Sequence, residues 1–413
     1  MTQPSRHFAP YLILWLISFM FLKYVLQFIP SIGLDVLKNE YHQTARNIGL
    51  LAGAYFYAYL LFQIPAGVVV DHCKISKVVF LAMGCCLIGA ILFAIGKSFN
   101  ELFAGRLFIG AGVAFATVSY MRAAALYFNA QAFARLTGFF GAAAMGGAGM
   151  TVLILGWLFE NYGWNHLLIL TIALTGLLCS LGLYFIRQEN QYQKIHNNIT
   201  NNISSFSLQN LGKNISTILK QKNNILLLIY NGLAFAPIAV FGGLWGKTYF
   251  THEFQLPANQ SSIIISALFY SFAIGSVVLF SLVRTLKQQQ HLMIWGIVAS
   301  LALFIIMLEY LPINTDFYTL FALMCAIGFC SSSFIASYSL VNAVNPATHI
   351  ATAIAIVNMG DPIFGGLAEP LMGYIIDTHD GSFHTSMYVL VIYWMGAIVS
   401  GACVRIHQTN KGM

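Results

Sequence analysis

Tyr11 to Leu37 reads YLILWLISFMFLKYVLQFIPSIGLDVL, an apolar run with a single lysine, Lys23, near its middle. A helix needs about 20 apolar residues to cross a bilayer core, so this run is long enough. A lysine at mid-depth costs about 3 kcal/mol on insertion scales. Lys23 has about a dozen apolar residues on either side, too many for its stem to carry the ammonium to the headgroups. It is therefore expected to face a water-filled cavity, an acidic partner or an anionic solute. Gln27 lies one turn further along the same face, and Tyr24 flanks the cation.

The whole chain has the same character. Of 413 residues, 58% are hydrophobic and 8% charged, against about 25% charged in soluble domains. The mean hydropathy is +0.75. This composition defines a polytopic helical membrane protein. The formal net charge of +7 comes from residues scattered through short loops, which excludes a nucleic-acid-binding face. Seven cysteines lack ligand spacing and read as small buried hydrophobes. No nucleophile elbow, phosphate loop, zinc-protease motif or metal cluster is present, so an enzyme, a cofactor and ATP-driven transport are not expected.

Apolar runs bounded by charge, Pro or Asn predict twelve spans, near 11–37, 46–70, 77–97, 101–126, 133–158, 164–186, 223–249, 259–283, 290–311, 316–342, 349–376 and 385–405. The first is read as a retained span rather than a cleaved leader. A domain over 1–186, a polar linker over 187–222 and a domain over 223–413 follow. Within the linker, Leu208 to Ile218 has weak helical periodicity, and N-x-S/T triplets at Asn198, Asn202 and Asn214 read as products of Asn-rich composition. Lysine and arginine collect on one side, at Arg6, Lys74, Lys77, Arg135, Arg187 and through the linker. Lys38, Arg46, Lys97, Arg106 and Lys247 are counted on the other. Positive residues stay inside, so both termini and the linker are expected in the cytoplasm, leaving Lys23 and Arg122 within spans.

The halves echo one another. Gly156-Trp-Leu-Phe-Glu160 followed by Gly163-Trp164 ends span 5, and Gly373-Tyr-Ile-Ile-Asp377 followed by Gly381 ends span 11. Phe28-Ile-Pro30 in span 1 is matched by Phe235-Ala-Pro237 in span 7. A six-plus-six internal repeat accounts for both.

After span 2, Gly67 to Lys77 reads GVVVDHCKISK, which resembles the G-x-x-x-D-R-x-G-R-R signature of the major facilitator superfamily. Gly67 and Asp71 hold their places, His72 and Lys74 depart from the pattern, and Lys77 supplies the distal cation. Gly67 is expected to allow close helix approach and Asp71 to latch one conformational state. Arg106-Leu-Phe-Ile-Gly110-Ala-Gly112 is similar to the family's R-x-x-x-G-x-G, and Gly138 to Met150 to its glycine-rich segment. The resemblance implies an all-α membrane protein of two pseudo-symmetric six-helix bundles. Spans 1, 4, 7 and 10 would line a central cavity, and the halves would rock to give alternating access.

In the family's organic-anion branch, cations stand about where Lys23 and Arg122 fall, so the resemblance implies that these two hold a carboxylate or phosphate. Lysine keeps the charge but lacks the bidentate fork of arginine. Where that branch carries a proton-carrying glutamate, this chain has Val113. Ser119 shares a face with Arg122; Tyr230, Asn231 and Tyr338 are further candidate solute contacts. Asp361 and Glu369 are read as the only buried carboxylates and as proton-coupling candidates. The expected function is secondary active transport of an amino acid, short peptide or organic acid across the inner membrane of a bacterium by a monomer, with protons as the candidate drive. Efflux of a drug, siderophore or metabolite is the alternative.

Overall fold

The computed structural model describes residues 8–128, 130–195, 215–283, 285–345, 350–379 and 381–405. The linker triplets and most of Leu208 to Ile218 lie outside them. The chain divides into two compact units, Met1–Phe206 and Ser207–Met413.

In the first unit the helices are α1 (Phe8–Ile32), the short α2 (Leu34–Asn39), α3 (Ala45–His72), α4 (Ile75–Ile95), α5 (Phe99–Tyr127) and α6 (Ala130–Ile195). Gly163, at φ 76°, breaks α6 into two arms, which are spans 5 and 6. A positive φ is open to glycine at little cost, so the chain reverses there. The second arm continues to Ile195, past the expected boundary at 186.

The second unit holds α7 (Lys222–Val240), a π turn (Phe241–Trp245) and α8 (Gly246–Glu253), which together make span 7. Then come α9 (Ala258–Leu282), α10 (Leu286–Glu309), α11 (Phe317–Ser331), a 3₁₀ turn and α12 (Ala336–Val344). Finally α13 (Ile350–Asn358) and α14 (Gly360–Thr378) form span 11, and α15 (Phe383–Cys403) forms span 12. Ten described helical segments are long and apolar enough to cross a membrane. The second arm of α6 and the α13–α14 pair bring the passes to twelve; α14 carries three carboxylates in 19 residues, which lowers its hydropathy.

Short polar caps start these helices at the membrane edges. Thr44, Asp316 and Ser382 each accept a backbone N–H of the first turn, at the starts of α3, α11 and α15. Ser98 with Glu101 and Thr285 with Gln288 form full capping boxes on α5 and α10. Each cap satisfies donors that hydrocarbon could not.

The repeat is visible in the packing. Span 4 packs on spans 2 and 3 in the first unit, as span 10 packs on spans 8 and 9 in the second. Gly381, at φ 80°, is the counterpart of Gly163. Pro30 and Pro237 both sit inside helices, in α1 and α7.

Several sequence-based expectations need correction. Arg106 and Lys247, counted among outer-loop cations, are 1% and 7% exposed. Both belong to the interior of their unit rather than to a loop. A Cβ built on Gly67 meets no described atom within 4 Å. Cys86 and Cys179 are buried as expected, but Cys73 and Cys403 are exposed at helix ends. Side chains of Asp71 and of residues 138–143 in the glycine-rich run are outside those described.

Candidate solute site in the first unit

Proline lacks an N–H, so Pro30 cannot bond the carbonyl four residues back, that of Leu26. Arg106 of α5 takes over this acceptor: Nη1 donates to the Leu26 carbonyl at 2.6 Å. Nη2 donates to the Gln27 carbonyl at 3.3 Å, and Nε to the Leu51 carbonyl of α3 at 3.0 Å. One buried guanidinium thus clamps α1 to α3 where Pro30 leaves a gap in the hydrogen-bond ladder of α1. Its planar fork suits this task better than an ammonium would.

Arg106 also lies over the ring of Tyr55, 5.1 Å from its centroid. Tyr55 is fixed from a second side by Gly110, where a Cβ would stand 2.2 Å from the Tyr55 carbonyl oxygen. The R-x-x-x-G pair therefore positions α3 against α5 at Tyr55. Tyr59 follows one turn later, its ring stacked on that of Tyr55 at 6.3 Å and 12°.

Tyr59, with Tyr24 of α1, frames Lys23. Its Nζ lies 5.5 Å from the Tyr24 centroid and 5.0 Å from that of Tyr59. Lys23 is half-buried, as is Gln27. Ring faces attract an ammonium by about 0.5–2 kcal/mol each, which offsets part of the insertion cost. The arrangement presents a positively charged donor inside a membrane span, walled by aromatic surface.

Arg122 occupies another level. It is half-buried within electrostatic reach of Tyr127, sixteen residues and so roughly 24 Å along α5 from Arg106. Lys23 lies one turn from the carbonyls that Arg106 holds. The two cations thus stand at different depths of the unit, and Ser119, fully buried, goes with Arg122.

Near Arg122, a carboxylate that sequence reasoning missed is buried. Glu189, 1% exposed, corrects the expectation that span 11 holds the only buried acids. Its Oε2 accepts the Ser76 N–H at 2.9 Å and its Oε1 the Tyr127 hydroxyl at 2.8 Å. Ser76 is in the first turn of α4, where the helix dipole favours an anion. Lys74 Nζ donates to Asn190 Oδ1 at 2.5 Å beside it. The signature loop is therefore tied to the end of α6; its Lys77 is exposed.

In the second unit, Tyr230 is fully buried and donates to the Met293 carbonyl at 2.7 Å, a packing contact with α10. Asn231 is buried and reaches Ser337 Oγ at 3.5 Å. Tyr338 donates to Asn358 Oδ1 at 2.5 Å, joining α12 to α13. Asp361 falls in the first turn of α14 and is half-buried, whereas Glu369 is 3% exposed. The break between α13 and α14 precedes Pro362, which can offer no N–H to the Asn358 carbonyl.

Tyr55 and Tyr59 were legible only as a one-turn aromatic pair in an apolar span, a pattern that packing usually explains. Among the described residues, no group of three metal-ligating side chains occurs.

Two like units of six membrane passes, with charged and amide side chains held inside them, define a multi-pass membrane transporter. The chain belongs to the Major Facilitator Superfamily, whose sequence profile matches residues 12–246. It is 21% identical over 377 residues to the uncharacterized transporter YybO of Bacillus subtilis (strain 168), covering 87% of this chain and 85% of that one. Its fold is similar to that of a point mutant of the nucleoside transporter NupG, with a TM-score of 0.73, 18% identity and coverage of 95% and 98%. A bacterial homolog of the human lysosomal transporter Spinster, inward-facing and occupied, gives a TM-score of 0.69 at 15% identity, covering 97% of each chain. Such a protein binds small-molecule solutes within the membrane and is not an enzyme.

Proposed function

We propose that this transporter is a secondary active carrier of a small polar solute bearing a carboxylate: an amino acid, a short peptide or an organic acid. The observation that carries this reading is Lys23 itself, a half-buried cation in the first span with Tyr24 and Tyr59 at its sides. Its ammonium is the anion donor, with Gln27 one turn away as a polar neighbour. Arg122, with Ser119, stands at a second level on the solute's path. Asn231 and Tyr338 are polar contacts offered by the second unit, and Asp361 and Glu369 are its proton-coupling groups. The chain works as a monomer in the cytoplasmic membrane of a bacterium, with both termini in the cytoplasm.

Thermal-shift screening of the purified protein against amino acids, dipeptides, organic acids and nucleosides tests this. A ligand that binds the folded state raises the melting temperature by mass action. Carboxylates should stabilise, and their amides and methyl esters should not. Stabilisation by nucleosides or other neutral compounds alone would refute the anion reading.

A further inference from the structure

We propose that the hydroxyl of Tyr55 is the second donor of the anion subsite at Lys23, so that a carboxylate is held by an ammonium on α1 and a phenol on α3. This rests on the reading of Lys23 given above. The juxtaposition comes from three elements. Tyr55 is 1% exposed, and its hydroxyl has no hydrogen-bond partner among the described residues. A buried hydroxyl left without an acceptor is costly, and such groups are rare unless a ligand or water meets them.

The phenol cannot easily turn away. Its ring is stacked on Tyr59, meets Phe56 edge-on at 5.3 Å and 90°, and lies under the Arg106 guanidinium. Its backbone is pressed against Gly110. The Lys23 ammonium, 5.0 Å from the centroid of the Tyr59 ring that stacks on Tyr55, is within electrostatic reach. An ammonium donates and never accepts, so Lys23 cannot take the phenolic proton. The group that meets the phenol must therefore be an acceptor, and a carboxylate, with two oxygens and about four lone-pair sites, can take a bond from the phenol and another from the ammonium. Arg106 and Gly110 then act as positioning residues, through Tyr55 rather than on the solute.

The test compares wild type, Y55F and K23Q as full-length purified protein. Sodium salts of glutamate, lactate, gluconate and succinate are screened by thermal shift. The most stabilising salt is then titrated, together with its primary amide. Y55F should bind the carboxylate about tenfold or more weakly, the loss expected for one hydrogen bond to a charged group. Its melting temperature without ligand should be unchanged or higher, because no bond within the protein is lost. Binding to Y55F within twofold of wild type overturns the proposal. So does a fall in its ligand-free melting temperature, which would mark a structural phenol. If K23Q loses binding while Y55F keeps it, only the Tyr55 inference falls. If no salt stabilises the wild type, or K23Q binds as well as wild type, the Lys23 reading falls and this one with it.

Discussion

The clamp at Pro30 makes a quantitative prediction. Replacing Arg106 with Met removes donors from three carbonyls, but those of Gln27 and Leu51 retain the N–H groups of their own helices. The carbonyl of Leu26 does not, because residue 30 is proline. Orphaning one buried carbonyl costs about 1–3 kcal/mol. Losing the contact with the Tyr55 ring adds about 1 kcal/mol, and relief of the buried charge takes some of this back. A net destabilisation of about 2 kcal/mol is expected for R106M. In a P30A background the new N–H of residue 30 can bond Leu26, so the same replacement should cost about 1 kcal/mol less. Reversible unfolding in mixed SDS micelles, run as a double-mutant cycle, measures this coupling. An equal cost of R106M in both backgrounds would refute the clamp.

Other expectations concern separate parts of the chain. At Gly232 a Cβ would lie 2.4 Å from Phe364 Cδ2 and 2.5 Å from the Gly360 carbonyl, so G232A should destabilise by about 1–3 kcal/mol through overpacking; G146A, where a Cβ meets no described atom within 4 Å, is the control in the same unfolding assay. Truncating Glu189 to Ala strands the Ser76 N–H and the Tyr127 hydroxyl and should cost about 1–3 kcal/mol, with Y127F recovering part of the loss in a cycle. Asp316, the cap ahead of α11, is held below its ordinary value of 3.8, first by the hydrogen bond from the Thr319 side chain and then by that from the Thr319 backbone N–H. Its contribution is complete above that value and fades as pH falls through the lowered one; the acid limb of a melting-temperature profile should therefore flatten in D316N. D361N should abolish pH-driven accumulation in vesicles while sparing solute exchange, and accumulation at the wild-type level would remove Asp361 from the coupling role.

The passes were readable because hydrocarbon imposes length and apolarity on every one, and the two reversing glycines, Gly163 and Gly381, stand in matching contexts. Span 11 was found by its apolar flanks despite Asp361, Glu369 and Asp377. Less legible was which polar groups serve structure. Arg106 reads as a loop cation by position, yet its role depends on a proline 76 residues earlier in the chain. Glu189 looked like part of a polar linker, and only the approach of α4 to α6 turns it into a helix cap. Lys23 stood out because a lone charge in an apolar run has few bland explanations. Its aromatic walls did not, because tyrosines in a span look the same whether they pack or frame a site.

The central claim is that Lys23 meets the negative group of the transported solute. Its most direct test is counterflow in proteoliposomes, using the carboxylate that best stabilises the purified protein, with wild type, K23R and K23Q reconstituted at equal density. Exchange should persist, weakened, in K23R and be lost in K23Q, while the amide of the same acid is carried by none. Wild-type counterflow through K23Q, or equal transport of acid and amide, would contradict the account.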